Sequence, residues 1–243
     1  MDGLQERLQR AVQQFWLDRG AQSQKSATSV RPNIGTRGSA TGGGHMTAFE
    51  LLLVDLLTEV GIERLHTRIA LRDTKPKVPL ELPGYFRVSK QWDVLVIVDN
   101  QLLAAIELKS QVGSTGNNLN NRVEEAIGNA TDLWTAFREG RLGPRRPFLG
   151  FFFLLEDTPK IHNPVRTLEP YFSNDPIFRG APYADRYRIF CQRLVLERLY
   201  DATCLTLATN ASPPEITHLA PELNFQQFVA QLQGHAQAFV RSR

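Results

Sequence analysis

The stretch Trp92–Gln111, WDVLVIVDNQLLAAIELKSQ, joins two apolar runs of strand length and sets Asp93, Glu107 and Lys109 among residues that otherwise belong in a core. Side chains alternate across a strand, so Val94, Val96 and Val98 fall on one face and Asp93, Leu95 and Ile97 on the other. In the second run Leu103, Ala105, Glu107 and Lys109 share a face. Bringing Asp93 to that face needs a connection of odd length. A three-residue turn through Asp99, Asn100 and Gln101 supplies it, and Asn100 tolerates the left-handed backbone of such turns.

Two carboxylates at neighbouring positions on a half-buried sheet repel each other and resist desolvation, so a cation between them is what makes the pair stable. Oxygen ligands that leave the coordination sphere incomplete suit Mg²⁺, which keeps waters and accepts phosphate oxygens. A lysine two residues on, on the same face, can polarise a water or meet charge developing on a phosphorane. Asp93, Glu107 and Lys109 therefore outline a metal-dependent phosphodiesterase. The bland reading is a surface hairpin with a Glu/Lys ion pair, and the apolar flanks argue against it.

These residues resemble the PD-(D/E)XK nuclease core, with Trp92 in place of the usual proline. More narrowly, LPGYFRVSKQWDVLVIV followed by QLLAAIELKSQVGSTGNNLNNRVEEAIGNATDLWTAFREG resembles the XhoI-type restriction endonucleases, densely from about Leu82 to Gly140 and more loosely beyond. The resemblance implies a homodimeric type II enzyme that cuts double-stranded DNA at the palindrome CTCGAG with Mg²⁺, in the cytoplasm of a bacterium. It makes Asp93 and Glu107 metal ligands and Lys109 the catalytic lysine.

With 243 residues, 42% of them hydrophobic, the chain can bury one substantial core, and the expectation is a single endonuclease domain over 1–243. No apolar run is long enough to cross a bilayer; the best, Phe148 to Leu155, has the length of a buried strand. The charged, amphipathic N-terminus lacks the apolar stretch of a signal peptide. Cys191 and Cys204 sit in apolar surroundings, as reduced core residues do. A net charge of +3 permits nucleic-acid binding without arguing for it.

Along the chain, a first helix is expected over about Gly3–Leu17. Residues 20–45, rich in Ser, Thr and Gly, read as a flexible polar linker, or as an arm that carries Lys25, Arg31 and Arg37 onto DNA. A core helix follows from Thr47 to Val60. Its Thr47-x-x-Glu50 is a capping box, yet nucleases of the resembled fold often take a further carboxylate from such a helix; Glu50 stands between these two roles. Lys75, Lys77, Arg87 and Lys90 lie before the catalytic strand, where they could meet phosphates. Gln111 extends the catalytic face toward a water or phosphate near the metal.

The run GSTGNNLNNR opens a helix expected from about Val123 to Arg138. Four asparagines in five residues exceed what one cap needs. Asparagine reads adenine and arginine reads guanine in the major groove, so Asn117, Asn118, Asn120, Asn121 and Arg122 are candidate DNA contacts, against the plainer reading of a polar helix cap. Glu124 and Glu125 suit a helix start. Pro147–Glu156 reads as a central strand, a helix is expected over about Ala184–Leu199, a strand near Ala202–Thr209 and a last helix over Phe225–Val240.

The fold expected is thus α/β, a mixed sheet of about five strands flanked by helices around a restriction-endonuclease-like core. Two competitors stand beside the restriction enzyme. One is a repair or junction nuclease of the same fold; the other is a DNA-binding dimer whose acidic cluster is structural.

Overall fold

Asp99 and Asn100 both take left-handed backbone, φ 50° and 58°, and close the central hairpin as a two-residue turn between β4 (Val94–Val98) and β5 (Gln101–Gln111). This corrects the three-residue turn expected from the sequence. Two positive-φ residues match the right-handed twist of the strands they join, which is why the tighter turn wins. The change of parity comes instead from a bulge. Val98 faces Gln101 and Ile97 faces Leu102, but Val96 faces Ala104, so one residue of β5 is extra. Leu103 consequently packs with Val94, Val96 and Val98 on the face opposite Glu107, where strict alternation puts it on the Glu107 face.

The computed structural model describes residues 2–28, 45–69 and 80–242. Its sheet has six strands, one more than expected. To β4 and β5 it adds β1 (Thr67–Ile69), β6 (Phe148–Glu156), β7 (Ala202–Ala208) and β8 (Ile216–Thr217), in the order β1-β4-β5-β6-β7-β8. The pairs β5–β6 and β6–β7 are parallel and the others antiparallel. A separate small hairpin pairs β2 (Glu81–Pro83) with β3 (Ser89–Gln91). The central place of β6 follows from its sequence: every residue from Phe148 to Leu155 is buried, as a strand covered on both faces requires.

Helices cover both faces. On one lie α2 (Thr47–Thr58) and α5 (Phe225–Arg241), with α1 (Asp2–Thr28) packed on α2. Phe15, Phe49, Leu53, Leu57, Phe228 and Leu232 join Val94, Val96, Ile106 and Phe152 there in one apolar cluster. On the other lie α3 (Thr115–Arg138) and α4 (Tyr183–Leu196), whose Ala126, Ala130, Leu133, Tyr187 and Leu194 pack with Leu95, Ala105, Phe151 and Phe153. Glu107 and Lys109 point to this second face.

Helix α1 runs through Thr28, so residues 20–28 are helix and not linker. After Gly20 the run AQSQKSAT, residues 21–28, contains good helix formers and no further Gly or Pro, and an existing helix adds such residues at little cost. Residues 29–44 with Arg31 and Arg37, the side chain of Lys25, and Lys75 and Lys77 lie outside the described residues. Helix α2 ends at Thr58, two residues before the expected Val60, and Gly61 at φ 91° lets Ile62 N–H reach Leu57 O and Gly61 N–H reach Thr58 O, a Schellman closure. It starts at Thr47 as expected, but Met46 is the N-cap, no side chain caps it, and the Thr47–Glu50 capping box does not form. Cys191 and Cys204 are buried and free, and no described helix is long and apolar enough to cross a membrane.

Candidate active site

The bulge in β5 is what assembles the site. Continued in regular steps from Val98–Gln101, the ladder would bring Asp93 opposite Ile106; with one residue bulged out, Val94 faces Ile106 and Asp93 comes level with Glu107. A hydrogen bond of 2.6 Å from Leu108 N–H to Asp93 Oδ2 fixes the aspartate there. Glu107, only 3% exposed, receives an ammonium on each oxygen: Lys109 Nζ at 2.5 Å from Oε1 and Lys90 Nζ at 2.6 Å from Oε2.

Lys90 reaches in from β3. Its Nζ lies 4.2 Å from the centre of the Trp92 ring and donates to Gln91 O. Trp92 is buried, and its N–H donates to Leu80 O at 2.8 Å, a bond that proline at this position could not make. The departure from the PD-(D/E)XK pattern thus extends the small hairpin by one backbone bond and gives Lys90 an aromatic platform.

Burial and the neighbouring charges shift all three groups of the site. Burial, then the neighbouring Glu107 charge, push Asp93 up to about 6 against the partial relief of Lys109, the Leu108 amide and Lys90. Burial also opposes the Glu107 charge, but Lys109 and Lys90 together outweigh it and hold this carboxyl below its ordinary range. Burial acts on Lys109 in the opposite sense to its carboxylate neighbours, and Glu107 and Asp93 win, raising its pKa. Among the described residues no three His, Cys, Asp or Glu side chains converge as a metal cage. Two carboxylates alone fit Mg²⁺, which keeps several waters and takes phosphate oxygens, and do not fit a four-ligand structural zinc site.

The other candidate residues fall into place as follows. Glu50 is buried in the first turn of α2, the helix whose apolar residues cover the sheet face opposite Glu107. The N-terminal end of that helix is tied to the β5 terminus by a 3.1 Å bond between His45 Nε2 and Ser110 Oγ, one residue from Lys109. Gln111 is buried and its amide donates to Gly113 O, bracing the turn into α3.

That helix begins at Thr115 and not near Val123, so the asparagines occupy its first two turns; helix propagates through them because no Pro interrupts and α4 packs alongside. Asn117, Asn120 and Asn121 are exposed, and Asn118 Nδ2 donates to Ser114 O at 3.1 Å. Arg122 pairs with Glu125 at 2.6 Å, while its Nε is buried without a hydrogen-bond partner. Glu124 and Glu125 are consequently well inside the helix, and neither serves as a cap. Glu125 is close enough to Lys109 to help hold its charge.

Two features escaped the sequence reading. The Lys90–Glu107 pair joins residues of separate hairpins, and only the alternation of Lys90 and Trp92 beside Asp93 hinted at it. Buried Asp132 and Asn129 of α3 bind the loop between β2 and β3, and nothing in the helical periodicity marked them.

Residues 24–218 match the family model of the restriction endonuclease XhoI. The type II restriction enzyme BstVI of Geobacillus stearothermophilus is 49% identical over 183 residues, which cover 72% of this chain and 79% of that enzyme. The type II restriction enzyme XhoI of Xanthomonas vasicola is 43% identical over 188 residues, 76% of this chain and 73% of its own length. AbrI of Azospirillum brasilense is 43% identical over 176 residues, covering 71% and 75%. No solved structure matches significantly. The paired carboxylates and lysine on a bulged hairpin thus sit within a stretch shared with restriction enzymes, and the chain belongs to the XhoI family of type II restriction endonucleases, which are site-specific deoxyribonucleases.

Proposed function

We propose that this endonuclease is a homodimer that hydrolyses duplex DNA at the palindrome CTCGAG, with Mg²⁺ bound by Asp93 and Glu107. The observation that carries the reading is the level placement of these two carboxylates, with the ammonium of Lys109 on the same strand face. Mg²⁺ in that position would supply an activated water for in-line attack on the scissile phosphate and neutralise charge on the departing 3′ oxygen.

The chain's own residues do the rest. Leu108 N–H holds the Asp93 carboxylate against β5 at 2.6 Å. Lys109 is placed to hold the water in line or to meet charge on the phosphorane. Lys90 offers a second ammonium that can pass from Glu107 to a phosphate oxygen when substrate enters. Glu50, at the helix end stitched to β5 through His45 and Ser110, is the candidate for a further carboxylate. The exposed Asn117, Asn120 and Asn121, with Asn118 and Arg122, present donors along the first turns of α3 that suit adenine and guanine edges in the major groove. Gln111 supports that helix from beneath. A palindrome read by identical subunits requires two-fold symmetry, which gives each strand one active site. Such an enzyme would act in the bacterial cytoplasm.

The test is digestion of a plasmid carrying one CTCGAG, with Mg²⁺ or with EDTA, followed by sequencing of the ends. The expected result is linear DNA with one defined end, in Mg²⁺ only. Cutting at another sequence would discard the target and keep the metal site, whereas the absence of cutting by folded protein would overturn the catalytic reading.

A further inference from the structure

The loop between β2 and β3 exposes its apolar residues and fixes its backbone. Phe86 is 70% exposed and Val88 94%, with Tyr85 edge-on to Phe86 at 4.9 Å between ring centres. Beneath them the backbone is held by polar groups, of which Asp132 and Asn129 are buried. Asp132 Oδ1 accepts from Tyr85 N–H at 2.7 Å and Phe86 N–H at 2.8 Å, and its Oδ2 accepts from Arg87 Nε at 2.7 Å. Arg87 also donates to Asn129 Oδ1 at 2.9 Å, and Arg141 donates to Gly84 O at 2.7 Å. Gly84 leaves no room for a side chain, since a Cβ there would stand 2.6 Å from Arg87 O and 2.7 Å from Asp132 Oδ2.

Burying a carboxylate and an amide in α3 to fix one short loop is costly unless the loop must keep its shape. What that shape presents is a narrow apolar tip. Its place in the fold says what it meets. Val88 is two residues from Lys90, whose Nζ lies 2.6 Å from Glu107, and Phe86 is four residues away, within about 14 Å even for a fully extended chain. A duplex with its phosphate at Glu107 therefore brings a groove to the tip. Beside the tip Arg141, which donates to the Gly84 carbonyl, complements a polyanion, while Arg87 and Lys90 are paired with Asp132 and Glu107. A second copy of the chain is a poorer fit, because two or three side chains bounded by Arg87, Ser89 and Gln91 fall far short of the ~800 Å² per partner of a stable interface.

We propose that Phe86 and Val88 form a preorganised apolar wedge that enters the DNA groove beside the scissile phosphate and packs on sugar and base faces, positioning the strand for cleavage. The inference rests on the nuclease reading of the Asp93–Glu107 site. Wedges of this kind partly unstack a base step and bend the duplex.

The test uses the full chain carrying Glu107→Gln, so that DNA is bound and not cut, with a fluorescein-labelled CTCGAG duplex. Adding Phe86→Ala is expected to weaken binding about ten-fold, the size of one lost stacking contact. The salt slope of binding should stay the same, because no phosphate contact is removed. Phe86→Trp should retain affinity, and its added fluorescence should be quenched on the duplex. Unchanged affinity with Phe86→Ala and no quenching with Phe86→Trp would overturn the wedge while leaving the nuclease reading intact. Weaker binding accompanied by a fall in sedimenting mass would also overturn it, assigning the tip to subunit contact. Failure of the parent Glu107→Gln protein to bind duplex at all, with wild type inert in Mg²⁺, would remove both readings together.

Discussion

At Glu107 two ammonium groups converge on one carboxylate, while Asp93 beside it lacks a full counter-charge and is pushed up to about 6. The two acids are thus unequal: one is compensated by the chain, the other only in part. Loss of either should remove catalysis while leaving the sheet standing. Asp93→Asn and Glu107→Gln are each expected to lower the cleavage rate by a factor of about 10³ or more. Quenched-flow digestion of a short duplex measures this, and a purified variant that cuts at the wild-type rate would exclude its residue from the mechanism. Trp92 is a case where the residue is better than the family pattern it departs from. Trp92→Pro removes the bond to Leu80 O and empties a buried site beneath Lys90, so urea unfolding should show a loss of about 3 kcal/mol. An unchanged midpoint would show that the indole contributes nothing to the small hairpin.

Among elements, the β4–β5 hairpin shows most clearly what a sequence reveals of its fold. With both turn residues left-handed, Asn100→Gly is expected to stabilise the protein by about 0.5 kcal/mol and Asn100→Val to cost about 1–2 kcal/mol, both read from thermal melts. That Asp93, Glu107 and Lys109 would share a face was legible from their alternation and from their being charged among valines. The means was not: a turn of three residues and a turn of two with a bulge both deliver the required parity, and only strand twist, a property of the paired sheet, chooses between them. The apolar strand β6 was legible because burial on both faces leaves an unbroken run. The length of α1 was not, because polar residues beyond Leu17 carry no periodicity even though they extend the helix. Asp132 went unread for a related reason. Its partners are backbone amides of a loop distant in sequence, and such bonds leave no pattern in the chain. Burial works against its charge, but the Phe86 amide, Arg87 and the Tyr85 amide outweigh it and hold the carboxyl below its ordinary range. A depressed pKa stabilises the folded state above the unfolded value, about 4, and that stabilisation is lost as pH falls through the folded value. Asp132→Asn should therefore cost about 1–2 kcal/mol near neutral pH, and the gap to wild type in urea unfolding should close in acid below about pH 4. A gap that persists unchanged in acid would show that the carboxylate charge is not what the substitution removes from the loop's stability.

The described residues of one chain hold one such carboxylate pair, Asp93 and Glu107, and a duplex has two strands to cut. A net charge of +3 over 243 residues gives little long-range attraction to DNA, so binding must come from local contacts placed in register with the bases. In the proposed dimer the simplest register on a palindrome is two-fold: each subunit would bring its own Asp93, Glu107 and Lys109 to one scissile phosphate and would not reach the other's. This makes a prediction that separates the dimer from a monomer cutting twice in succession. Wild-type and Glu107→Gln chains, co-expressed with different affinity tags and purified as the mixed dimer, should bind the plasmid normally but hydrolyse one strand, so that open circles accumulate and linear DNA appears only after rebinding in the opposite orientation. If instead the mixed preparation makes linear DNA as fast as wild type with no open-circle intermediate, a single active site serves both strands and two-fold symmetry is not how this enzyme reads its site.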